Sequence, residues 1–227
     1  MDSTNTYLKN KVRDGGISSP FCVYAGFQTA GRGQRLKTWV SQPFDNILTS
    51  FLVDNLGDVS NLTKLNNAAI QAVVETLEKF GINKMAVKWP NDIYVEDKKI
   101  AGILIENVVS EQEIKTAVVG VGINVNQQKF VDIAATSVYN ELGKQVNLIE
   151  FLQELYNQFY DQITKDEVVL NDFVNANLYK QGDMVTFEVE GNEQSYIVEK
   201  VSLAGNLLVS AMANQITLEY HKVKWIK

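Results

Sequence analysis

Three charged residues sit where a buried sheet has no need of charge. In "VKWPNDIYVEDKKIAGILIE", Val87 to Glu106, three apolar runs are joined by two polar turns, Pro90-Asn91-Asp92 and Glu96-Asp97-Lys98. The stretch reads as a three-stranded meander with Lys88, Asp92 and Lys99 at its strand ends. Taken singly, Lys99 reads as a solvated turn residue and Asp92 as an ordinary turn residue. Strand alternation puts Lys99, Ala101, Ile103 and Ile105 on one face and Ile100, Gly102 and Leu104 on the other. Gly102 in mid-strand marks a place where another group comes close to the sheet.

Two further stretches could meet a ligand. "AGRGQRLKTW" sets Gly31 and Gly33 around Arg32, followed by Arg35, Lys37 and Trp39. Glycines let a backbone approach a ligand closely, and cations complement phosphate or carboxylate. The same composition would also suit a mobile basic hairpin tip. "GVGINVN" places Gly120 and Gly122 at the end of an apolar strand, followed by Asn124. A dinucleotide fingerprint needs a third glycine where Val125 stands, and no phosphate loop of the G-x-x-x-x-G-K-[ST] form occurs. Two strand glycines then mean a bulge or a site where a group lies flat on the sheet.

Composition narrows the chemistry. The chain has 227 residues, of which 45% are hydrophobic, enough for one good core and a small second domain. The net charge of −6 argues against broad nucleic-acid binding, which needs a basic face. There is one cysteine, Cys22, so no internal disulfide and no cysteine zinc site. Its apolar setting, "PFCVYAGF", reads as a packed core thiol. The single histidine, His221, reads as a surface residue in a C-terminal strand, so the chemistry is not histidine-driven. No apolar run reaches the length of a membrane helix, and the N-terminus lacks the apolar middle of a signal peptide. The expected location is the cytoplasm.

The elements that must position these residues follow from periodicity. "STNTYLKNKVRDGG" reads as a short helix capped by Ser3 or Thr4. "FCVYAGFQ" and "NILTSFLV" read as strands flanking the glycine-bearing loop. "SNLTKLNNAAIQAVVETLEKFG" is the clearest helix, with Leu62, Leu65, Ala69, Ile70, Val73, Leu77 and Phe80 at helical spacing and Gly81 as its stop. "EIKTAVVGVGINVN" is a further strand. "NLIEFLQELYNQFYDQI" is a second helix with Asn147 as its cap, and "KDEVVLNDFVNANLYK" a weaker third. After Gly182 the pattern becomes short alternating runs broken by Gly191-Asn192, Gly205-Asn206 and Asn214, the mark of a small β-barrel. The domain boundary falls near Tyr179–Gly182, giving segments 1–179 and 180–227.

"DSTN", "QTAGRG" followed by Trp39, "KWPND", "KKIAGILIE" and "GVGIN" occur in that order along nearly the whole chain. This set resembles the biotin protein ligase family, also called biotin–[acetyl-CoA-carboxylase] ligase. The resemblance implies an α/β (α+β) catalytic domain, similar to class II aminoacyl-tRNA synthetases and built on a mixed or antiparallel sheet. It implies an SH3-like β-barrel at the C-terminus. It implies that biotin and ATP, with Mg²⁺ assisting, give biotinoyl-5′-adenylate and pyrophosphate. A lysine of a biotin carboxyl carrier protein or domain then takes the biotinoyl group and releases AMP.

The same resemblance assigns residues. Ser3, Thr4, Asn5 and Gln28 are implied as polar contacts to the biotin ring. Gly31, Arg32, Gly33 and Gln34 belong to the loop that closes over the intermediate. Gly102 and Gly120 pave the biotin site. Lys99 is implied at the carboxyl–adenylate junction. Arg32 and Lys99 would offset the repulsion between two anions, and Asp92 would aid the incoming lysine. Arg35, Trp39, Lys88, Asn91, Gly122 and Asn124 fall on the adenylate side. The metal ligands stay unassigned. Two departures stand out: Gln34 where many relatives carry a basic residue, and Leu36 where many carry glycine. Both put in doubt how tightly the adenylate is held.

Alternative readings are a lipoate or octanoyl ligase and a non-catalytic adenylate-binding sensor. The catalytic motif begins at Asp2, which leaves no room for an N-terminal DNA-binding domain, and no specific DNA binding is expected. The assembly is a monomer or a homodimer, with "KTAVVGVGINV" as a possible sheet edge for pairing.

Overall fold

Two strands carry more large apolar side chains on one face, and the glycines and Ser50 on the other, and this parity decides the layering. In the strand Ile47–Gly57 (β2), Ile47 and Phe51 are fully buried on one face while Leu48, Ser50 and Leu52 point the other way. In the strand Glu113–Ile123 (β6), Val119, Val121 and Ile123 oppose Val118, Gly120 and Gly122. The computed structural model describes residues 1–58, 61–110, 113–131, 133–212 and 214–226. Four further strands, Phe21–Tyr24 (β1), Met85–Lys88 (β3), Asp92–Val95 (β4) and Lys98–Ser110 (β5), complete a six-stranded sheet in the order β1-β2-β6-β5-β4-β3. Every pairing in it is antiparallel.

The heavily apolar face is covered by helices. Asn61–Lys79 (α2) and Leu148–Gln162 (α4) present their apolar stripes to it, so that Leu65, Val73, Leu77, Phe151, Leu155 and Phe159 form one core with Phe51, Val119 and Ile103. Phe51 stacks on Phe159 with ring centroids 4.3 Å apart. Gly81, with φ +97°, ends the segment after α2 in a conformation that favours glycine. Ser60, at the expected start of α2, lies outside the described residues. Asn147 caps α4 as expected, its side chain accepting from the backbone N–H groups of Ile149 and Glu150. Asn147→Ala is expected to lower stability by about 1 kcal/mol, read as a shifted denaturant midpoint at unchanged slope.

The other face carries less. The helix Thr4–Arg13 (α1) covers part of it through a small cluster of Leu8, Leu52 and Val118. Ser3 occupies the N-cap position, but its side chain makes no capping bond, contrary to the sequence expectation. The rest of this face, where the glycines lie, stays open. Two short segments absent from the periodicity reading appear: the helix Val138–Leu142 (α3), capped by Ser137, and a single 3₁₀ turn at Gln34–Leu36. Glu167–Ala176 (α5) is the expected weak helix.

The C-terminal region is a five-stranded antiparallel sheet of Met184–Val189 (β7), Asn192–Val201 (β8), Leu207–Ala211 (β9), Asn214–Leu218 (β10) and Val223–Trp225 (β11), in the order β10-β9-β8-β7-β11. The fold is therefore of the expected class, a mixed α/β body on an antiparallel sheet followed by a small β module. The segment that leads into the module is held on β3 by backbone bonds, from the Val87 N–H to the Asn177 carbonyl and from the Tyr179 N–H to the Val87 carbonyl, at 2.7 and 3.0 Å. The Trp89 indole N–H adds a bond to the Gly205 carbonyl at 2.9 Å. His221 is exposed and paired with Glu219, but it lies in a turn before β11 and not in a strand.

Two expectations fail here. The segment "KTAVVGVGINV" is not an edge: β6 pairs with β2 on one side and β5 on the other, so its backbone groups are spent and cannot pair a second chain. The simple alternation along β5 also fails. The register with β4 shifts between Ile93, opposite Ala101, and Tyr94, opposite Lys99. Ile100 is the extra residue, and the bulge turns Lys99 onto the same face as Gly102 and Leu104.

Candidate active site

Glycine parity makes room for a cleft on the open face. Gly102 of β5 pairs directly with Gly122 of β6, and Gly120 lies two residues further along the same face. They do not form a bare floor, as the sequence suggests. Each supports one side chain of the site. A Cβ on Gly122 would lie 2.6 Å from Trp39 Cε2, one on Gly120 would lie 2.4 Å from Asn5 Oδ1, and one on Gly102 would lie 2.9 Å from Lys99 Nζ. The glycines are needed because Trp39, Asn5 and Lys99 lie flat against the sheet.

Above them is a cleft of about 240 Å³. Every site residue singled out from the sequence lines it except Gly31 and Asn124. Gly31 is buried beneath the loop, where a Cβ would meet the Trp39 carbonyl oxygen at 2.4 Å. Asn124 is buried and donates from Nδ2 to the Thr136 carbonyl at 3.0 Å. That contact steadies the neighbour of Lys99, since the Thr136 N–H donates to the Lys99 carbonyl at 3.0 Å. Asn91 lines the cleft, and its Nδ2 also donates to the Ile103 carbonyl, which fixes the turn between β3 and β4.

One wall is polar and built from α1. The Thr4 N–H and Oγ1 donate to Gln28 Oε1 at 2.8 and 3.1 Å. Ser50 Oγ, fully buried, shares its hydrogen between Thr4 Oγ1 at 2.7 Å and Asn5 Oδ1 at 2.6 Å. Ser3, free of any capping bond, completes this wall.

The other wall is cationic. Arg32, Arg35, Lys37, Lys88, Lys99 and Lys224 line the cleft, against one carboxylate, Asp92. In a chain of net charge −6, this concentration of positive charge marks the cleft as the place an anion would bind. Lys99 Nζ is 2.5 Å from Asp92 Oδ1 and 5.4 Å from the Trp39 ring centroid. Lys88 sits in an aromatic box, 4.8 Å from Tyr94, 5.4 Å from Trp225 and 5.6 Å from Tyr179. Burial draws its ammonium pKa below the usual lysine value; Asp92 opposes this, while Lys99 and Lys37 add to it. Burial first, and Asp92 second, push the Tyr94 phenol up to about 12, so it stays a donor at neutral pH. The Trp39 indole N–H is buried and has no hydrogen-bond partner among the described residues.

The glycine-bearing loop is held at both ends by its arginines. Arg32 Nη1 lies 3.2 Å from Glu106 Oε1. Arg35, at φ +54°, donates from Nη2 to the Val223 carbonyl at 2.6 Å and lies 5.7 Å from the Tyr220 ring. Gln34 also lines the cleft, while the side chain of Leu36 lies outside the described part of the structure.

Sequence reasoning missed several residues. Ser50 and Thr49 carried a signal, two hydroxyls inside the apolar run "NILTSFLV". Glu106 carried one too, an acid on the parity of Gly102. Tyr220, Lys224 and Trp225 carried none, because only the docking of the C-terminal sheet brings them to the cleft. Cys22 is half-buried, with its thiol 3.1 Å from Thr49 Oγ1, and burial raises its pKa while Thr49 partly opposes that; this is not a nucleophile's setting. Among the described residues no cluster of three His, Cys, Asp or Glu could cage a metal ion, and no helix is long and apolar enough to cross a membrane.

The comparison with known proteins agrees with this geometry. The sequence model of the biotin/lipoate A/B protein ligase family matches residues 1–124. A Paracoccus denitrificans biotin–[acetyl-CoA-carboxylase] ligase is 32% identical over 169 residues, 70% of this chain and 68% of that protein. The Escherichia coli bifunctional ligase/repressor BirA is 34% identical over 129 residues, 57% of this chain. The chain spans only 40% of the length of that relative. A biotin protein ligase from Aquifex aeolicus, solved in complex with biotin and ATP, superposes with a TM-score of 0.82 at 26% identity, covering 100% of this chain and 95% of that one. With its family match over more than half its length, its shared fold and its open glycine-supported cleft, the chain belongs to the biotin/lipoate A/B protein ligase family.

Proposed function

We propose that this protein is a biotin protein ligase of the biotin–[acetyl-CoA-carboxylase] type. In the first step the biotin carboxylate oxygen attacks the α-phosphorus of ATP. The bond from that phosphorus to the bridging oxygen breaks, pyrophosphate leaves, and biotinoyl-5′-adenylate forms. In the second step the ε-amine of a lysine on a biotin carboxyl carrier protein or domain attacks the acyl carbon. The C–O bond to AMP breaks, an amide forms, and the amine loses a proton.

The observation that carries this reading is the meeting of two unlike walls in one cleft. The polar wall offers an acceptor, Asn5 Oδ1, and a donor, Gln28 Nε2, to which no partner is assigned among the described residues. A cyclic urea carries both an N–H and a C=O, and so complements this pair. A lipoyl ring has neither, and would leave the Gln28 amide N–H and the second lone pair of Asn5 Oδ1 without a ligand partner. The cationic wall, Lys99 included, suits the two anions that must meet, the acid group and the triphosphate. Asp92, beside Lys99, is the group placed to receive or steer the incoming amine. The mixed anhydride hydrolyses readily, and a loop clasped by Arg32 and Arg35 serves to keep water out.

Mg²⁺ is compatible with this site only as a companion of the nucleotide. Magnesium commonly keeps its waters and takes one or two carboxylates plus substrate phosphates, and Asp92 is the one carboxylate among the lining residues. When bound it would neutralise phosphate charge.

Pyrophosphate release on mixing the protein with ATP tests the reading. Release that depends on biotin is expected, followed by transfer of labelled biotin to the host's carboxyl carrier domain. Release that depends on lipoate would place the protein with the lipoate ligases. No release with either acid would make it a sensor that binds an adenylate without forming it.

A further inference from the structure

Glu106 does not line the cleft, yet it touches two side chains that do, Asn5 and Arg32. Its side chain is 16% exposed. Oε1 takes two cations, Lys9 Nζ at 2.6 Å and Arg32 Nη1 at 3.2 Å. Oε2 accepts from Asn5 Nδ2 at 2.9 Å. The same Nδ2 donates to the Leu104 carbonyl at 3.3 Å, so both amide hydrogens of Asn5 are committed away from the cleft. The amide oxygen is thereby turned toward Ser50, with a second lone pair left for a ligand.

We propose that Glu106 is a positioning residue that fixes Asn5 as a hydrogen-bond acceptor in the cleft, and so selects a ligand ring bearing an N–H. The inference rests on the proposed function and names its specificity device. An asparagine amide can flip, exchanging an acceptor for a donor at little cost unless its neighbours forbid it. Here two groups that can only accept, the Glu106 carboxylate and the Leu104 carbonyl, oppose it, and the charged one is the stronger. The charge count also matters. Two cations meet one carboxylate at Glu106, so Arg32 is oriented without the wall losing its net positive charge.

Glu106→Gln changes one atom and weakens this constraint. Lys9 and Arg32 compete for the glutamine's single acceptor oxygen. Its NH₂ group then meets the Asn5 NH₂, donor against donor, and only the Leu104 carbonyl still holds the amide in its acceptor orientation.

The test is steady-state kinetics of pyrophosphate release by wild type, Glu106→Gln, Glu106→Asp and Lys9→Met. Glu106→Gln is expected to raise KM for biotin about tenfold, the size of one lost hydrogen bond in a buried site, while KM for ATP stays within about twofold. Glu106→Asp keeps the charge but falls short of Asn5 by one methylene, and gives a rise in the same direction. Lys9→Met leaves the Asn5 contact in place, and KM for biotin stays within about twofold. An unchanged biotin KM in both Glu106 variants overturns the inference. So does an equal rise in Lys9→Met, which would trace the effect to anchoring of α1. A wild type that releases no pyrophosphate with biotin overturns the proposed function itself, and the inference with it.

Discussion

Lys99→Ala slows biotin-dependent pyrophosphate release by more than about tenfold, the consequence of removing a charged hydrogen bond worth roughly 1.5–3 kcal/mol. The structure explains why the loss falls on the reaction and not on the fold. The backbone of Lys99 is held independently of its side chain, with its N–H donating to the Ala134 carbonyl and its own carbonyl accepting from Thr136, each at 3.0 Å. The ion pair with Asp92 is nearly one-third exposed, so solvent screens it and its contribution to stability is small. What the ammonium does supply is a positive charge in the cationic wall, 5.4 Å from the Trp39 ring and next to the glycine pair Gly102–Gly122. The loss is expected in kcat as well as in kcat/KM, because the charge matters most when negative charge gathers at the α-phosphorus. Wild-type rates in the variant would falsify the role assigned to Lys99. A variant that loses only biotin affinity would move Lys99 from the reacting centre to the binding wall.

The sequence made the strands, the main helices and most of the cleft legible, and the reasons differ from part to part. α2 and α4 were readable because their apolar positions recur at helical spacing and each ends in a recognisable signal, Gly81 after α2 and Asn147 before α4. The meander was readable from its two turns. Its side-chain parity was not, because a bulge at Ile100 leaves no mark in composition, and one extra residue reverses every face beyond it. The position of β6 within the sheet was equally hidden. Strand order is set by long-range pairing, and an apolar strand with glycines reads alike at a centre or an edge. Gly120 and Gly122 were recognised as places of close approach, but what approaches them was misjudged. The groups that fill the space are Asn5 and Trp39, more than one hundred and about eighty residues away in the chain, and no local pattern can announce them. The same holds for Tyr220, Val223 and Trp225. They reach the cleft through the docking of the C-terminal sheet, where Trp89 bonds to the Gly205 carbonyl and Arg35 to the Val223 carbonyl, and they make the C-terminal module part of the site's wall.

Gly120→Ala is expected to weaken biotin binding by about a hundredfold, the scale attached to a misplacement of about 1 Å in a site. The added Cβ would lie 2.4 Å from Asn5 Oδ1, 2.9 Å from Cγ and 3.0 Å from Nδ2, so the whole amide must move. It has nowhere to go. Ser50, the Leu104 carbonyl and Glu106 hold it on three sides, and its own helix α1 is packed through Leu8 against Leu52 and Val118. Gly102→Ala is the informative control. There the added Cβ would meet Lys99 Nζ at 2.9 Å, the far end of a flexible chain that can swing into the open cleft, and biotin affinity is expected to fall by less than about tenfold. The two glycines both line the cleft. They differ in whether the side chain above them is pinned on three sides or held at its tip by one partly exposed ion pair. Calorimetric titration with biotin reads the difference directly. Equal losses in the two variants would mean that the ligand itself occupies the space over both glycines, and that Asn5 moves aside when it binds.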